Sequence, residues 1–265
     1  MYSYHIHSTF SDGKNTPEEI VLAAIDAGIV SIGFSDHGFT SYDLRYCMKD
    51  QPGYIKEITE IKEKYKSQIQ IYIGVEEDAF APLDRRNFDY IIGSCHYIVK
   101  EGKYFPIDSS YDHFKKCLSL FDGDYISFAE AYYSSFCGYI CQRKPDIIGH
   151  FDLITKFDEL GESLFLQNPK YAEIAEKYVL KATESKCIFE VNTGAIARGP
   201  RTSPYPYENL LYILRKNNSP ITLSSDSHGI DTLAFGFEET KKQLKDIGFD
   251  RITALVDNSF KEVYI

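Results

Sequence analysis

No apolar run in this 265-residue chain approaches the roughly 20 residues that a membrane-spanning helix needs. The first residues, Met1-Tyr2-Ser3-Tyr4-His5, also lack the basic and apolar stretches of a secretory leader. The expectation is a cytoplasmic protein with no membrane partner. Positive charge is scarce too: 29 Lys and Arg face 39 Asp and Glu, a formal charge of −10. A general nucleic-acid surface would be basic, so no nucleic-acid partner is expected, although a local basic pocket can still hold a phosphate. The six cysteines, at 47, 95, 117, 137, 141 and 187, show no C-x-x-C pair and no disulfide-framework spacing, which points to reduced thiols. Cys137 and Cys141, four apart, share a helix face and read as small buried apolar side chains. Cys95 should face away from His96 if that segment is a strand. Repeats, low-complexity stretches and linkers are not evident. With 43% hydrophobic residues, the whole of 1–265 is expected to bury one large core as a single domain.

What the chain does contain is a regular alternation of short apolar runs with longer amphipathic ones. Strands are expected at 2–7, 31–35, 69–75, 90–94, 147–149, 188–191 and 221–224, most of them ending at a polar residue. Helical patterns fall between them at 17–27, 53–65, 111–121, 125–143, 169–184, 206–217 and 238–247. Thr16-Pro17-Glu18-Glu19 starts a helix well, with a capping oxygen, proline at the first position and acid in the first turn. This order predicts an α/β protein of parallel strands joined by right-handed crossovers, either a closed barrel or an open sheet. In a barrel the carboxyl ends of many strands meet at one mouth, whereas an open sheet gathers mainly those near its switch point. Nearly every strand here ends in a metal-capable side chain, so a seven-stranded, TIM-like β/α barrel is favoured.

Those side chains are His5, His7, Asp12, His37, Glu76, His96, His150, Glu190, Asp226 and His228. His5-Ile6-His7 and Asp226-Ser227-His228 each hold two of them two residues apart, a spacing that aims both to one side of a strand. Six of the seven histidines stand at or just past a strand end; His113, in a polar helix, reads as a surface residue. One histidine alone is more often a hydrogen-bonded structural group, but the joint placement points to a metal centre. Glu76 can bridge two ions, and a mixed nitrogen and oxygen set suits zinc, manganese or iron. Ions about 3.5 to 4 Å apart generate hydroxide at neutral pH and clamp the oxygens of an in-line displacement, which is hydrolytic chemistry.

Taken together, His5-Ile6-His7-Ser8-Thr9, Ser11-Asp12-Gly13, Ser35-Asp36-His37, Gly74-Val75-Glu76, Ser94-Cys95-His96, Gly149-His150 and Ser225-Asp226-Ser227-His228 resemble the motifs of the polymerase and histidinol phosphatase (PHP) superfamily. They run almost end to end along the chain. Glu190-Val191-Asn192-Thr193-Gly194 followed by Arg198, and the absence of added domains, look most like the histidinol-phosphate phosphatases of that superfamily. The resemblance implies a distorted seven-stranded barrel, the PHP fold, with two or three divalent transition-metal ions. It implies one ion on His5, His7, Glu76 and Asp226, a neighbour on Glu76, His96 and His150, and a third on Asp12, His37 and His228. Many relatives have histidine in place of Asp12. The implied activity is hydrolysis of the phosphate monoester L-histidinol phosphate, in histidine biosynthesis, by hydroxide bridging the metals. Another phosphoesterase activity, on nucleotides, phosphotyrosine or nucleic-acid ends, is the alternative.

A phosphate substrate also needs protein cations. Arg198 and Arg201, in a Gly/Pro-rich loop, and Lys156, just past His150, are expected at the barrel mouth, with Arg198 the stronger candidate because a guanidinium grips two phosphate oxygens. Glu190 and Asn192 share a strand face and can orient a ligand or a substrate amine. Asp226 or His228 is expected to serve the leaving oxygen. An acidic mouth of Glu77 and Asp78, with Phe39 and Tyr42, is expected to take the substrate's ammonium and imidazole.

Overall fold

The apolar runs become the strands of one sheet in a computed structural model that describes residues 1–161 and 163–265. Among the described residues the sheet comprises β1 (Tyr2–Ser3), β2 (Ser31–Phe34), β3 (Gln70–Asp78), β4 (Tyr90–Ser94), β7 (Ile147–Ile148), β8 (Ile188–Asn192) and β9 (Ile221–Ser224), hydrogen-bonded in that order. Every neighbouring pair is parallel. The two ends of the sheet meet. His7 N donates to Ser227 O at 2.8 Å and Ser227 N to His5 O at 3.0 Å, so β1 and β9 close the ring into a nearly complete barrel. Ladder pairing in β1 stops at Ser3, and residues 4–7 run on as extended chain held by this seam.

Around the barrel lie α1 (Pro17–Asp26), α2 (Gln51–Tyr65), α3 (Tyr111–Ser119), α4 (Tyr125–Arg143), α5 (Pro169–Thr183), a short α6 (Gly194–Ala197), α7 (Glu208–Lys216) and α8 (Phe237–Ile247). Seven of them stand within a few residues of their expected positions. α1 begins as a reciprocal capping box: the Thr16 hydroxyl accepts from Glu19 N, and the Glu19 carboxylate accepts from Thr16 N. Apolar side chains of α1 and α2 bury against β2, β3 and Ile6, and those of α3, α4, α5 and α7 against the opposite half of the barrel. Each fully buried Ile, Leu or Phe there contributes roughly 1.5–3 kcal/mol.

The end of the barrel opposite the ligand-bearing strand ends is filled rather than open. Tyr4, Tyr72 and Tyr90 pack with Ile92, Ile147 and Ile188, and a hairpin of β10 (Arg251–Val256) and β11 (Ser259–Tyr264) lays Ala254 and Leu255 over them. Tyr90 Oη donates to Tyr4 O at 2.6 Å and Tyr4 Oη to Leu255 O at 2.8 Å, so the buried hydroxyls are satisfied. A second hairpin, β5 (Tyr97–Lys100) with β6 (Lys103–Pro106), rises from β4 at the other end. Neither hairpin was expected from the sequence. No described helix is long and apolar enough to cross a membrane.

All six cysteines are free among the described residues. Cys95 packs into the outer apolar layer, away from His96 as expected. Cys137 is buried, but Cys141, in the last turn of α4, is exposed, so the expected pair of buried side chains is corrected to one.

Candidate metal centre

Six strand ends and one turn deliver the side chains to a single place. His5 and His7 come from the run after β1, Asp12 from the turn beyond it, His37 from just past β2 and Glu76 from within β3. His96 follows β4, His150 follows β7, and Asp226 and His228 follow β9. Four overlapping groups result, each with ligand atoms within 4.8 Å of one another: His7, Asp12, His37 and His228; His5, His150 and Asp226; His5, His7 and Glu76; His37, Glu76 and His96. Of the metal-capable side chains named from the sequence, all but Glu190 meet here, and Glu190 stands behind His5 instead. His37 comes closer to Glu76 than expected, with Nδ1 2.8 Å from Oε2, so it belongs to two groups. His113 lies apart, its Nδ1 held by the hydroxyls of Ser109 and Ser110.

Glu76 is the hub and is 2% exposed. Its Oε1 lies 2.9 Å from His150 Nε2 and 3.3 Å from His96 Nε2, while Oε2 faces His5 Nε2 at 3.3 Å and His7 Nε2 at 3.6 Å. Asp226 Oδ1 lies 3.3 Å from His7 Nε2 and 3.7 Å from His5 Nε2. Asp226 holds a φ of 47°, the left-handed region that few residues other than glycine adopt, which turns its carboxylate back to the barrel axis. Room for it depends on Gly194, where a Cβ would stand 2.8 Å from Asp226 Cβ.

The charges in this cluster are unbalanced in a way that suits cations. Burial disfavours ionisation of Glu76, yet the imidazoles of His5, His37 and His96 hold its carboxyl well below the ordinary range. His5 is driven the opposite way, raised by Glu190, Glu76 and Asp226 against the cost of burial. His7 is pushed down to about 3 by burial and by His228 and His37, so it stays neutral with a lone pair to give. Buried polar atoms normally find hydrogen-bond partners, but His5 Nε2, both ring nitrogens of His7, Glu76 Oε2 and His150 Nδ1 have none. His5 Nε2, both nitrogens of His7 and Glu76 Oε2 face other members of the groups above across 3.3 to 3.8 Å. Neutral imidazole nitrogen and carboxylate oxygen, desolvated and unpartnered, are what a divalent transition metal takes.

Neighbouring carboxylates orient the imidazoles from behind. Glu190 Oε1 lies 2.5 Å from His5 Nδ1, and Glu190 Oε2 accepts from His150 N at 2.8 Å. Asp78 Oδ2 lies 3.2 Å from His96 Nδ1. Such contacts fix which ring nitrogen faces the centre.

The chain matches the PHP domain over residues 3–194, which takes in seven of the nine clustered side chains. The chain belongs to the PHP family. Asp226 and His228 lie beyond the matched span, and the fold brings them back beside His7. This PHP chain is 28% identical over 257 residues to a protein of Schizosaccharomyces pombe named "Probable histidinol-phosphatase", covering 87% of this chain and 81% of that one. It is 25% identical over 265 residues to the histidinol-phosphatase of Lactococcus lactis subsp. lactis, covering 94% and 92%. A crystal structure of histidinol phosphate phosphatase from that organism, in complex with zinc, L-histidinol and phosphate, superposes with a TM-score of 0.74 at 20% identity and 98% coverage of both chains. The shared fold is the nearly closed, seven-stranded barrel described above.

In the PHP chain the cluster floors a cavity of about 330 Å³. Arg198 lines it as expected: Nη1 donates to Asp226 O at 2.7 Å and Nη2 to Asp226 Oδ2 at 2.8 Å. Lys156 lines it too, with Nζ 3.3 Å from Asp108 Oδ2. Other expectations are corrected. Arg201 is 3% exposed and spends its donors on Ser203 O, Thr155 Oγ1 and Pro204 O, its guanidinium stacked between the rings of Tyr205 and Tyr207 at 4.0 and 3.6 Å. It pins its loop and does not reach the cavity. Arg201→Ala is expected to cost roughly 2–4 kcal/mol of stability, because three polar groups lose a buried partner. In the same variant kcat/KM should stay within about threefold; denaturant unfolding beside steady-state kinetics checks both.

Glu190 and Asn192 are also removed from the cavity wall, since their polar atoms are occupied with His5, His150, Ser224, Asp226 and each other. Glu77 is sealed by Arg143, Tyr139 and Leu83 N, and Asp78 by His96, Tyr42 and Phe80 N, so neither forms an acidic mouth. The wall is instead built by residues the sequence reading passed over: Arg45, Tyr46, Tyr97, Asp108, Ser109 and Leu153. Tyr97 comes from the β5–β6 hairpin and Asp108 and Ser109 from the chain just after it, whereas Arg45 and Tyr46 lie in the segment between β2 and α2 and Leu153 in the turn after His150. The hairpin's signal was present, because Glu101-Gly102 sits between two short runs and both residues have positive φ, as a tight hairpin turn requires.

Proposed function

We propose that this PHP-family chain is a metal-dependent phosphomonoesterase that hydrolyses L-histidinol phosphate to L-histidinol and phosphate in histidine biosynthesis. The observation that carries this reading is the meeting of His5, His7, Asp12, His37, Glu76, His96, His150, Asp226 and His228 beneath a cavity walled by Arg198, Lys156 and Asp108. The reading assigns one ion to His5, His7, Glu76 and Asp226, a second to Glu76, His96 and His150, and an outer one to His7, Asp12, His37 and His228. Zinc, manganese or iron fits such a set. Bound there, divalent ions supply a nucleophile at neutral pH and positive charge opposite the phosphoryl oxygens.

The chain's own groups do the rest. Arg198 is anchored to Asp226 and also lies 3.2 Å from His228 Nδ1, which leaves Nε–H and one Nη2–H for a phosphate oxygen. Its fixed fork favours the spread negative charge of the transition state. Asp226 is a poor proton donor: burial opposes its charge, but Arg198 and His5 hold its carboxyl well below the ordinary range. His228, assigned above to the outer ion and with Nδ1 turned to Arg198 Nη1 and Asp226 O, has no free ring N–H to give either, so charge on the leaving oxygen would be met by Arg198 and by the ions these residues would hold. Asp108 stays ionised against its burial because Lys156 and His96 stand near it, and it is suited to an ammonium; Tyr46 and Tyr97 offer faces to an imidazole.

Phosphate release from L-histidinol phosphate, measured beside nucleoside monophosphates, a phosphotyrosine peptide and a 3′-phosphorylated oligonucleotide with added manganese or zinc, tests the proposal. L-Histidinol phosphate is expected to have the highest kcat/KM. A higher value for any other compound transfers the site to that substrate.

A further inference from the structure

We infer that Asp36, which is outside the ligand groups and the cavity wall, is the positioning residue for the outer part of the centre. It holds the turn at 8–13 so that His7 and Asp12 meet His37 and His228. The inference rests on the multi-metal reading above and deepens it.

Asp36 is fully buried, a costly place for a carboxylate unless its oxygens are all used. They are. Oδ1 accepts from Ser8 N at 2.8 Å, Ser11 N at 3.0 Å and Ser11 Oγ at 2.6 Å, and Oδ2 accepts from Ser8 Oγ at 2.8 Å. Every one of these donors belongs to one turn. Ser8 follows His7, Ser11 precedes Asp12 and Asp36 precedes His37, so a single carboxylate ties three of the four outer donors together through their neighbours in the chain. Backbone bonds close the other side: Gly13 N donates to Ser8 O at 2.9 Å and Lys14 N to His228 O at 2.9 Å. Gly13 lies so close that a Cβ there would stand 2.2 Å from His7 O.

Asp12 itself has little else to hold it. Its side chain is 35% exposed, and its Oδ1 stands 3.8 Å from His7 and His37 and 3.4 Å from His228. Its place is therefore set by its backbone, which Ser11 and Asp36 fix. The inner donors have separate supports, Glu190 behind His5, Asp78 behind His96 and Arg198 behind Asp226, and His7, which both positions share, is also held by its backbone bond to Ser227 O at 2.8 Å. Loss of Asp36 should accordingly empty the outer position and spare the inner ones.

Wild type, Asp36→Ala, Asp36→Asn and Ser11→Ala would be loaded with manganese or zinc, freed of excess, and assayed for ions per chain and for the chelator concentration that removes the first ion. Asp36→Ala is expected to hold one ion fewer than wild type, or to lose its first ion at about 10- to 100-fold lower chelator. Asp36→Asn should largely rescue it, because the amide oxygen still accepts from the turn and the amide N–H can donate to Ser8 Oγ. Ser11→Ala should fall between the two, and it carries the test if Asp36→Ala does not fold. A folded Asp36→Ala that keeps the wild-type ion count and chelator midpoint overturns the inference, as does one that loses all ions together. If Asp36→Ala does not fold, an unchanged midpoint in Ser11→Ala overturns it. A wild type that never takes up an outer ion removes the site on which the inference rests. Ion counts do not depend on the substrate, so failure of the histidinol phosphate reading leaves this outcome unaffected.

Discussion

Replacing Glu76 with Gln is expected to lower kcat/KM by about 10³-fold or more and to strip metal from the protein. One carboxylate serves five imidazoles here: His96 and His150 on Oε1, and His5, His7 and His37 on Oε2. The amide keeps the shape but gives only one oxygen, turns two N–H donors toward ring nitrogens and removes the charge that two ions would share. Nothing in the second layer compensates, because Glu190 and Asp78 are spent on the far nitrogens of His5 and His96. Metal content by elemental analysis, beside steady-state kinetics, gives the answer. A variant within tenfold of wild type at full metal content would remove Glu76 from the bridging role and leave the shared-ion scheme without its centre.

Exhaustive chelation should abolish turnover and markedly lower thermal stability, with both restored by manganese or zinc. The cluster concentrates unpartnered nitrogen and oxygen atoms in a buried space, and an ion that binds only the folded chain stabilises it by mass action. One ion present at about a thousandfold above its Kd contributes about 4 kcal/mol, which for a chain of this size is a Tm shift of roughly 10 °C. The effect has a definite pH sense. In the metal-free protein His5, His37 and His96 are raised above their ordinary values, mainly because Glu190 or Glu76 outweighs the cost of burial. The stability that their protonation contributes is fully present below about pH 6.5 and fades as pH rises through the raised values. Metal uptake, which must displace those protons, strengthens over the same rise. The gap in Tm between loaded and chelated protein should therefore widen with pH. A chelated protein that stays active, or a gap that narrows, would count against the centre.

The barrel was legible because each strand combines an apolar run with a polar residue at its end, and a period that simple survives without tertiary information. β4 and β9 fall where expected to the residue, whereas β3 runs on through Glu76 to Asp78 because its pairing with β4 continues to Ser94. The donor set was legible for the same reason. The supporting roles were not. Glu77 and Asp78 look alike in sequence as acids beside a ligand, yet strand alternation sends one to Arg143 and the other to His96. Arg198 and Arg201 share a loop, and only packing decides that one meets Asp226 and the other is caught between two tyrosine rings. The cavity wall was missed because it is assembled from a short hairpin and from loop segments around residues 45, 108 and 153, none of which carries enough periodicity to be read.

The seam between β1 and β9 sets when the centre can exist. A ribosome releases His5 and His7 well before their spatial neighbours Asp226 and His228, which follow far along the chain. In the interval the nascent polypeptide carries imidazoles on an edge that has no partner, and contacts between remote parts of a chain form late. The complete donor set thus exists only once β9 has joined β1, however early its histidines are made.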